Sequence, residues 1–189
     1  MNAIKFKFFP HEQGVDLKKI KLTYESVYSV TMPEDADKMT ELIRKHYPSA
    51  KTIVDACSNV GGNTLSFSRS FQKVTSIEID PFTYQCLVHN VQLYKRKNVQ
   101  VTLGDYVQLK ANLHPDVVFF DPPWGGIYYK IEKDMDLFLS NENLIDLLPP
   151  NFALKAPINY NIAGLLQKFP NVVIYYFVNK FIFILPISA

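Results

Sequence analysis

The sequence predicts an α/β fold: a mostly parallel, seven-stranded sheet with helices on both faces, ending in an antiparallel hairpin. Three observations predict it. From Thr52 onward, short, β-branched and continuously apolar runs alternate with helical patterns, as in parallel sheets buried on both sides. A glycine loop follows the first of these runs and leads into a helix. The last two runs, VVIYYFV and FIFILPI, are separated only by Asn179 and Lys180, a spacing that forces a hairpin.

The totals are consistent with this. A chain of 189 residues with 48% hydrophobic and 20% charged residues suits one globular domain with a proper core. The expected division is a basic N-terminal extension over 1–30 packed on a single domain over 31–189. Net charge is +2, with five lysines between Lys5 and Lys21, a mild excess compatible with an anionic partner but more often a solvated face. Two cysteines, Cys57 and Cys86, make neither a disulfide framework nor a metal site, and read as small buried thiols. The N-terminus lacks an apolar signal stretch and no apolar run approaches a membrane span. An intracellular monomer, nuclear or cytoplasmic, is expected.

The elements follow in order. The segment TMPEDADKMTELIRKHY opens with Thr31 as candidate N-cap and Glu34 three places on, a capping box, and carries Met39, Leu42, Ile43 and Tyr47 on one face. TIVDAC is a strand, SNVGGN a loop and TLSFSRSF a short helix. KVTSIEI is a strand and PFTYQCLVHNVQLY a helix with Pro81 in its first turn. VQVTL and DVVFF are the third and fourth strands. A helix is expected within DLFLSNENLIDLL, a strand at FALKA and a helix from about Tyr160 to Lys168. This layout is that of class I methyltransferases, though other doubly wound proteins share it.

In an open α/β sheet, ligands bind beyond the carboxyl ends of the strands, where strand order reverses. The residues at those ends are Asp55 to Asn63, Glu78, Asp105 and Asp121. The loop DACSNVGGN is not a dinucleotide fingerprint and has no P-loop lysine; its Gly61–Gly62 pair lets backbone approach a ligand closely. Glu78 sits where an acid accepts bonds from a ribose diol, Asp105 where a carboxylate can accept from the adenine amine, and Asp55 where one suits an α-ammonium. Together they describe S-adenosylmethionine. Each alone could equally be a helix cap.

The fourth strand ends in DPPWGG, Asp121 to Gly126, with the chain's only tryptophan. Prolines donate no N–H, so carbonyls here remain acceptors, and the glycines let the chain turn beside a flat ligand. Asp121 and the Pro122 carbonyl can accept from an exocyclic amine of a base while Trp124 stacks on the base, so that alignment does most of the catalytic work. A lone tryptophan is more commonly a core plug, a role that fits poorly beside Gly-Gly at a strand end.

In order and spacing, YSVTMPE, IVDACSNVGGNT, SIEIDP, LGDY and DPPWGG resemble the trimethylguanosine synthase family of cap-specific guanosine-N2 methyltransferases, over roughly residues 28–126. A weaker likeness continues through LPPNFALKAPINYN. The resemblance implies a minimal catalytic domain of the class I fold that uses S-adenosylmethionine on a 7-methylguanosine-capped RNA or cap analogue. By position, Asp55, Asn59, Gly61, Asn63, Glu78 and Asp105 would hold the cofactor. Asp121, Pro122 and Trp124 would be catalytic, and Trp124 with Thr31 would meet the cap. Lys155 and Asn159, in LKAPIN, are the best match to an anchor for the cap phosphates. Asp121 stands where most of the family has serine. That departure keeps open an adenine-N6 methyltransferase of DNA or RNA; a catalytically silent cap-binding module is a third reading, disfavoured by the intact Asp55, Glu78 and Asp105.

Overall fold

The computed structural model describes residues 6–131, 133–178 and 180–187. Its main sheet has seven strands: β1 Thr52–Asp55, β2 Lys73–Glu78, β3 Val99–Leu103, β4 Val117–Phe120, β5 Phe152–Ala156, β6 Val172–Phe177 and β7 Phe181–Pro186. They lie in the order β3-β2-β1-β4-β5-β7-β6. The first five run parallel to one another, and β7 runs antiparallel to both β5 and β6. The order reverses between β1 and β4, which places the crevice of a doubly wound sheet beyond Asp55 and Phe120.

Strand β4 shows why its apolar run is continuous. Side chains alternate across a sheet, so Val118 and Phe120 join one core cluster with Phe152, Leu154 and Ile184. Val117 and Phe119 join the opposite one with Met39, Ile43, Phe67 and Phe183. Both faces are buried, so both parities must be apolar.

Helix α1, Pro33–His46, starts with proline, carries Glu34 and Asp35 in its first turn and Arg44, Lys45 and His46 in its last, and buries Ala36, Met39, Leu42 and Ile43. Its N-cap is Met32, with no side-chain cap. The expected capping box is therefore absent, and the Thr31 hydroxyl is used elsewhere. Helix α2, Gly62–Phe67, begins within the glycine pair, two residues before the expected start. Helix α3, Pro81–Leu93, is capped by Asp80, which accepts from Thr83 N. Helix α4, Ile162–Lys168, starts later than Tyr160 because Asn161 caps it through Gly164 N.

The helix expected across DLFLSNENLIDLL is instead a small antiparallel pair, Phe138–Leu139 with Glu142–Asn143, followed by one helical turn, Leu144–Leu147. Ser140 and Asn141 both adopt positive φ, 47° and 70°, the turn geometry that joins a tight hairpin. The C-terminal hairpin is as expected, except that β6 ends at Phe177 and β7 starts at Phe181. Asn179, half of the expected turn, lies outside the described residues, as does Lys5.

The N-terminal segment packs beside the site. Phe9, Leu17 and Ile20 are buried with Val60, Leu65 and Tyr94. Buried Asn90 of α3 exchanges hydrogen bonds with the Lys21 backbone and donates to the Val60 carbonyl, tying this segment to the glycine loop. Among the described residues, no helix is long and apolar enough to cross a membrane.

Candidate active site

Asp55 ends β1 and is fully buried. Thr64, the third residue of α2, donates its hydroxyl to Oδ2 at 2.7 Å, while the buried Oδ1 has no hydrogen-bond partner among the described residues. Burial, reinforced by the negative charges of Asp121 and Glu78, pushes this carboxyl up to about 7.

The glycine loop is held by the next strand. Asn59 takes a left-handed conformation, φ 49°, and its backbone N–H donates to Glu78 Oε2 at 2.8 Å. Its side chain donates to Ser29 Oγ at 2.9 Å. Glu78 Oε1 accepts from Asp80 N at 2.9 Å, and burial raises this carboxyl as well. Gly61, at φ 102°, needs glycine's conformational freedom. Gly62 serves a different purpose from the one expected: a Cβ there would stand 3.0 Å from the Thr31 carbonyl oxygen. The second glycine thus admits the Thr31 segment rather than a ligand. Asp105, past β3, accepts from Val107 N at 2.9 Å and caps the helical turn Tyr106–Leu109 through one oxygen.

Asp121, following β4, is the hub of a network. Its Oδ2 accepts from Lys155 Nζ at 2.8 Å, Thr31 Oγ1 at 3.2 Å and Asn63 Nδ2 at 3.2 Å. Lys155 and Asn63 also donate to Thr31 Oγ1, at 2.9 and 3.1 Å. The buried Asn63 Oδ1 has no partner among the described residues. Lys155, only 6% exposed, corrects the assignment to cap phosphates: a phosphate would reach its ammonium only after the buried pair with Asp121 was broken.

Trp124 is half-buried and packs against both core clusters. The Lys155 ammonium lies 5.2 Å from its ring centroid, and Tyr129 meets it edge-on at 5.3 Å and 71°. Its buried Nε1 has no partner among the described residues. Gly125 and Gly126, at φ 81° and 73°, turn the chain sharply after it. Asn159 donates to the Tyr129 carbonyl at 2.7 Å, so its amide braces the loop beside Trp124 and is a poor candidate for a phosphate anchor.

The structure thus joins Thr31, Asn63, Asp121, Lys155 and Trp124 in one cluster and strings Asp55, Asn59, Gly61 and Glu78 along the adjoining loop. Asp105 stands at the neighbouring strand end. Thr64 and Tyr129 escaped the sequence reading; Thr64 lies two residues past the glycine pair, where a hydroxyl under a strand-end acid could have been suspected. Among the described residues, no group of three His, Cys, Asp or Glu side chains could hold a metal ion.

A switch-point crevice rimmed by Asp55, Glu78 and Asp121, in a seven-stranded sheet with a reversed seventh strand, defines a class I S-adenosylmethionine-dependent methyltransferase. Residues 50–176 match the RNA cap guanine-N2 methyltransferase family, and the chain belongs to it. It is 29% identical to an uncharacterized protein of Acanthamoeba polyphaga mimivirus, over 96% of this chain and 82% of that protein. It is 35% identical to trimethylguanosine synthase of Schizosaccharomyces pombe over 68% of this chain, and spans 56% of that enzyme's length. For the Saccharomyces cerevisiae enzyme the identity is 28% over 72% of this chain, which spans 46% of it. Among solved structures, the T. thermophilus 16S rRNA N2 methyltransferase RsmC, in complex with AdoMet and guanosine, shares the fold with a TM-score of 0.63. Its identity is 15%, over 89% of this chain and 44% of that one.

S-adenosylmethionine is the cofactor, and the residues present fit it. Two buried acceptor oxygens, Asp55 Oδ1 and Asn63 Oδ1, have no partner among the described residues, and such atoms are costly unless a donor meets them. Burial, with the negative charges of Asp121 and Glu78 adding to it, raises the Asp55 carboxyl to about 7, and a cationic ligand beside it favours the ionised form.

Proposed function

We propose that the chain methylates the exocyclic N2 amine of guanine in a 7-methylguanosine cap. The observation that carries this reading is the Asp121–Trp124 turn at the switch point: a carboxylate with one oxygen fully engaged and the other receiving no bond from the described residues, beside an indole. Asp55 and Asn63 meet the cofactor's ammonium, Glu78 its ribose and Asp105 its adenine. When bound, the cofactor supplies a methyl group on a cationic sulfonium. Asp121 Oδ1 and the Pro122 carbonyl accept the hydrogens of the amine, which orients its lone pair, and Trp124 holds the base plane.

Methyl transfer from labelled cofactor to 7-methyl-GTP, GTP and an adenine oligonucleotide, run side by side, tests the assignment. The cap reading requires 7-methyl-GTP to be the best acceptor. Asp121 itself favours a second reading, since a carboxylate accepts equally from the N6 amine of adenine; preference for the oligonucleotide would select it.

Two predictions concern the cofactor. Glu78→Ala should weaken S-adenosylhomocysteine binding by about 1.5–3 kcal/mol, tenfold or more, the scale of hydrogen bonds to a charged group. Because Glu78 also accepts from Asn59 N and Asp80 N, the loop should lose protection against amide exchange. Unchanged affinity by calorimetry would remove Glu78 from the site.

The second concerns pH. An acid whose folded pKa is raised binds its proton more tightly in the folded state, so ligand-free stability falls as pH rises from the ordinary carboxylate value toward about 7. A cationic ligand favours the ionised form. Cofactor affinity should therefore rise from pH 6 to pH 8, with proton release on binding. Asp55→Asn should remove that release, weaken binding and stabilise the ligand-free protein above pH 7. Calorimetry in buffers of different ionisation enthalpy measures the proton directly, and an equal release from wild type and variant would acquit Asp55.

A further inference from the structure

Lys155 occupies a position that sheet geometry reserves for the core. On β5, Phe152, Leu154 and Ala156 enter one hydrophobic cluster and Ala153 the other, so Lys155 shares the face of Ala153. A lysine so placed, 6% exposed, needs compensation for its lost hydration. It finds Asp121 Oδ2 at 2.8 Å, Thr31 Oγ1 at 2.9 Å, and the rings of Trp124 and Phe181 at 5.2 and 5.1 Å. These contacts involve the two residues assigned to the methyl-accepting base, Asp121 and Trp124, so the lysine acts on both.

The consequences are orientation and charge. Three donors converge on Asp121 Oδ2, so rotating the carboxylate would break three hydrogen bonds. None of the described residues donates to Oδ1, and the side chain remains 13% exposed. The adjacent ammonium meanwhile offsets the carboxylate's charge, and at such separations in a partly buried site an uncompensated charge is felt strongly by a nearby cation. Asp121 without Lys155 would be an anion facing the base; with it, the pair is neutral.

We propose that Lys155 is a positioning and selectivity residue. It clamps Asp121 through Oδ2 and cancels its charge, so that Oδ1 serves the amine as a hydrogen-bond acceptor and preference for a cationic base comes from Trp124 alone. This rests on the guanine-acceptor reading above.

The test is the ratio of affinities for 7-methyl-GTP and GTP. Quenching of Trp124, the only tryptophan, reads it in the full chain saturated with S-adenosylhomocysteine. Lys155→Met uncovers the carboxylate and should raise the preference for 7-methyl-GTP about tenfold over wild type; Asp121→Asn uncovers the ammonium and should lower it about tenfold. Lys155→Arg, and the double variant lacking both charges, should stay within about twofold of wild type. A lysine with only a structural role would weaken both nucleotides alike and leave the ratio unmoved. If Lys155→Met does not fold, Asp121→Asn and the double variant still decide the matter, by a drop and its restoration. A constant ratio, or shifts of the same sign in the two single variants, would overturn the proposal. Wild type that binds S-adenosylhomocysteine but neither nucleotide would overturn the guanine assignment and this proposal together.

Discussion

Trp124→Ala is expected to reduce kcat/KM for a 7-methylguanosine acceptor on the order of a hundredfold, while S-adenosylhomocysteine affinity stays within about twofold. Stacking a base on an aromatic side chain is worth roughly 1–3 kcal/mol. A cation over an indole adds about 0.5–2 kcal/mol when desolvated, and N7-methylation makes guanine such a cation. The neutral base gains only the first part, so wild type should prefer 7-methyl-GTP over GTP on the order of tenfold, and Trp124→Ala should lose most of that preference. Trp124→Phe should keep some activity with weaker discrimination. Because the ring also packs on both core clusters, a modest loss of thermal stability should accompany the alanine variant. Steady-state kinetics with both nucleotides checks the activities and preferences, calorimetry the S-adenosylhomocysteine affinity, and thermal unfolding the stability. Equal use of GTP and 7-methyl-GTP by wild type would end the cation–π account.

Asp121→Ala should be the most destabilising single change in the site, by about 3–5 kcal/mol, because it strands the Lys155 ammonium in a buried setting. The Thr31 hydroxyl and the Asn63 amide lose their shared acceptor at the same time. Activity should fall as well, by about a hundredfold, since the amine loses the group that orients it. Removing the lysine too should recover most of the stability, because a buried pair replaced by apolar groups is often neutral or better. It should recover none of the activity. Denaturant unfolding of both single variants and the double variant gives the coupling; additive losses would mean that the pair contributes nothing.

Much of the fold was legible because it is written in local patterns. Runs such as VVFF and FIFIL are apolar at both parities, and only a strand covered on both faces requires that. Pro81 at a helix start and the positions of Asp55, Glu78 and Asp105 at strand ends could be read the same way. The segment over 138–143 is a hairpin although the flanking Leu137, Leu144, Ile145 and Leu148 also fit a helical spacing. The decision fell to Ser140 and Asn141 in left-handed turn geometry, a conformation that single-residue preferences only weakly signal.

The sequence by itself determined the doubly wound sheet, the hairpin at its end, the glycine loop and the acids bordering the crevice, because each follows from periodicity or from the fixed relation of a strand to the loop after it. Only the tertiary structure decided what Thr31, Lys155 and Asn159 touch. Asp121 and Lys155 are 34 residues apart, and Thr31 and Lys155 124 apart. Asp121 and Lys155 meet because β4 and β5 pair with Phe120 opposite Leu154, which sets the next residue of each strand side by side. The lysine in FALKA reads as a candidate anchor for the cap phosphates until that register is known. Pairing register and strand order are properties of the whole sheet, and no local pattern around Lys155 encodes them.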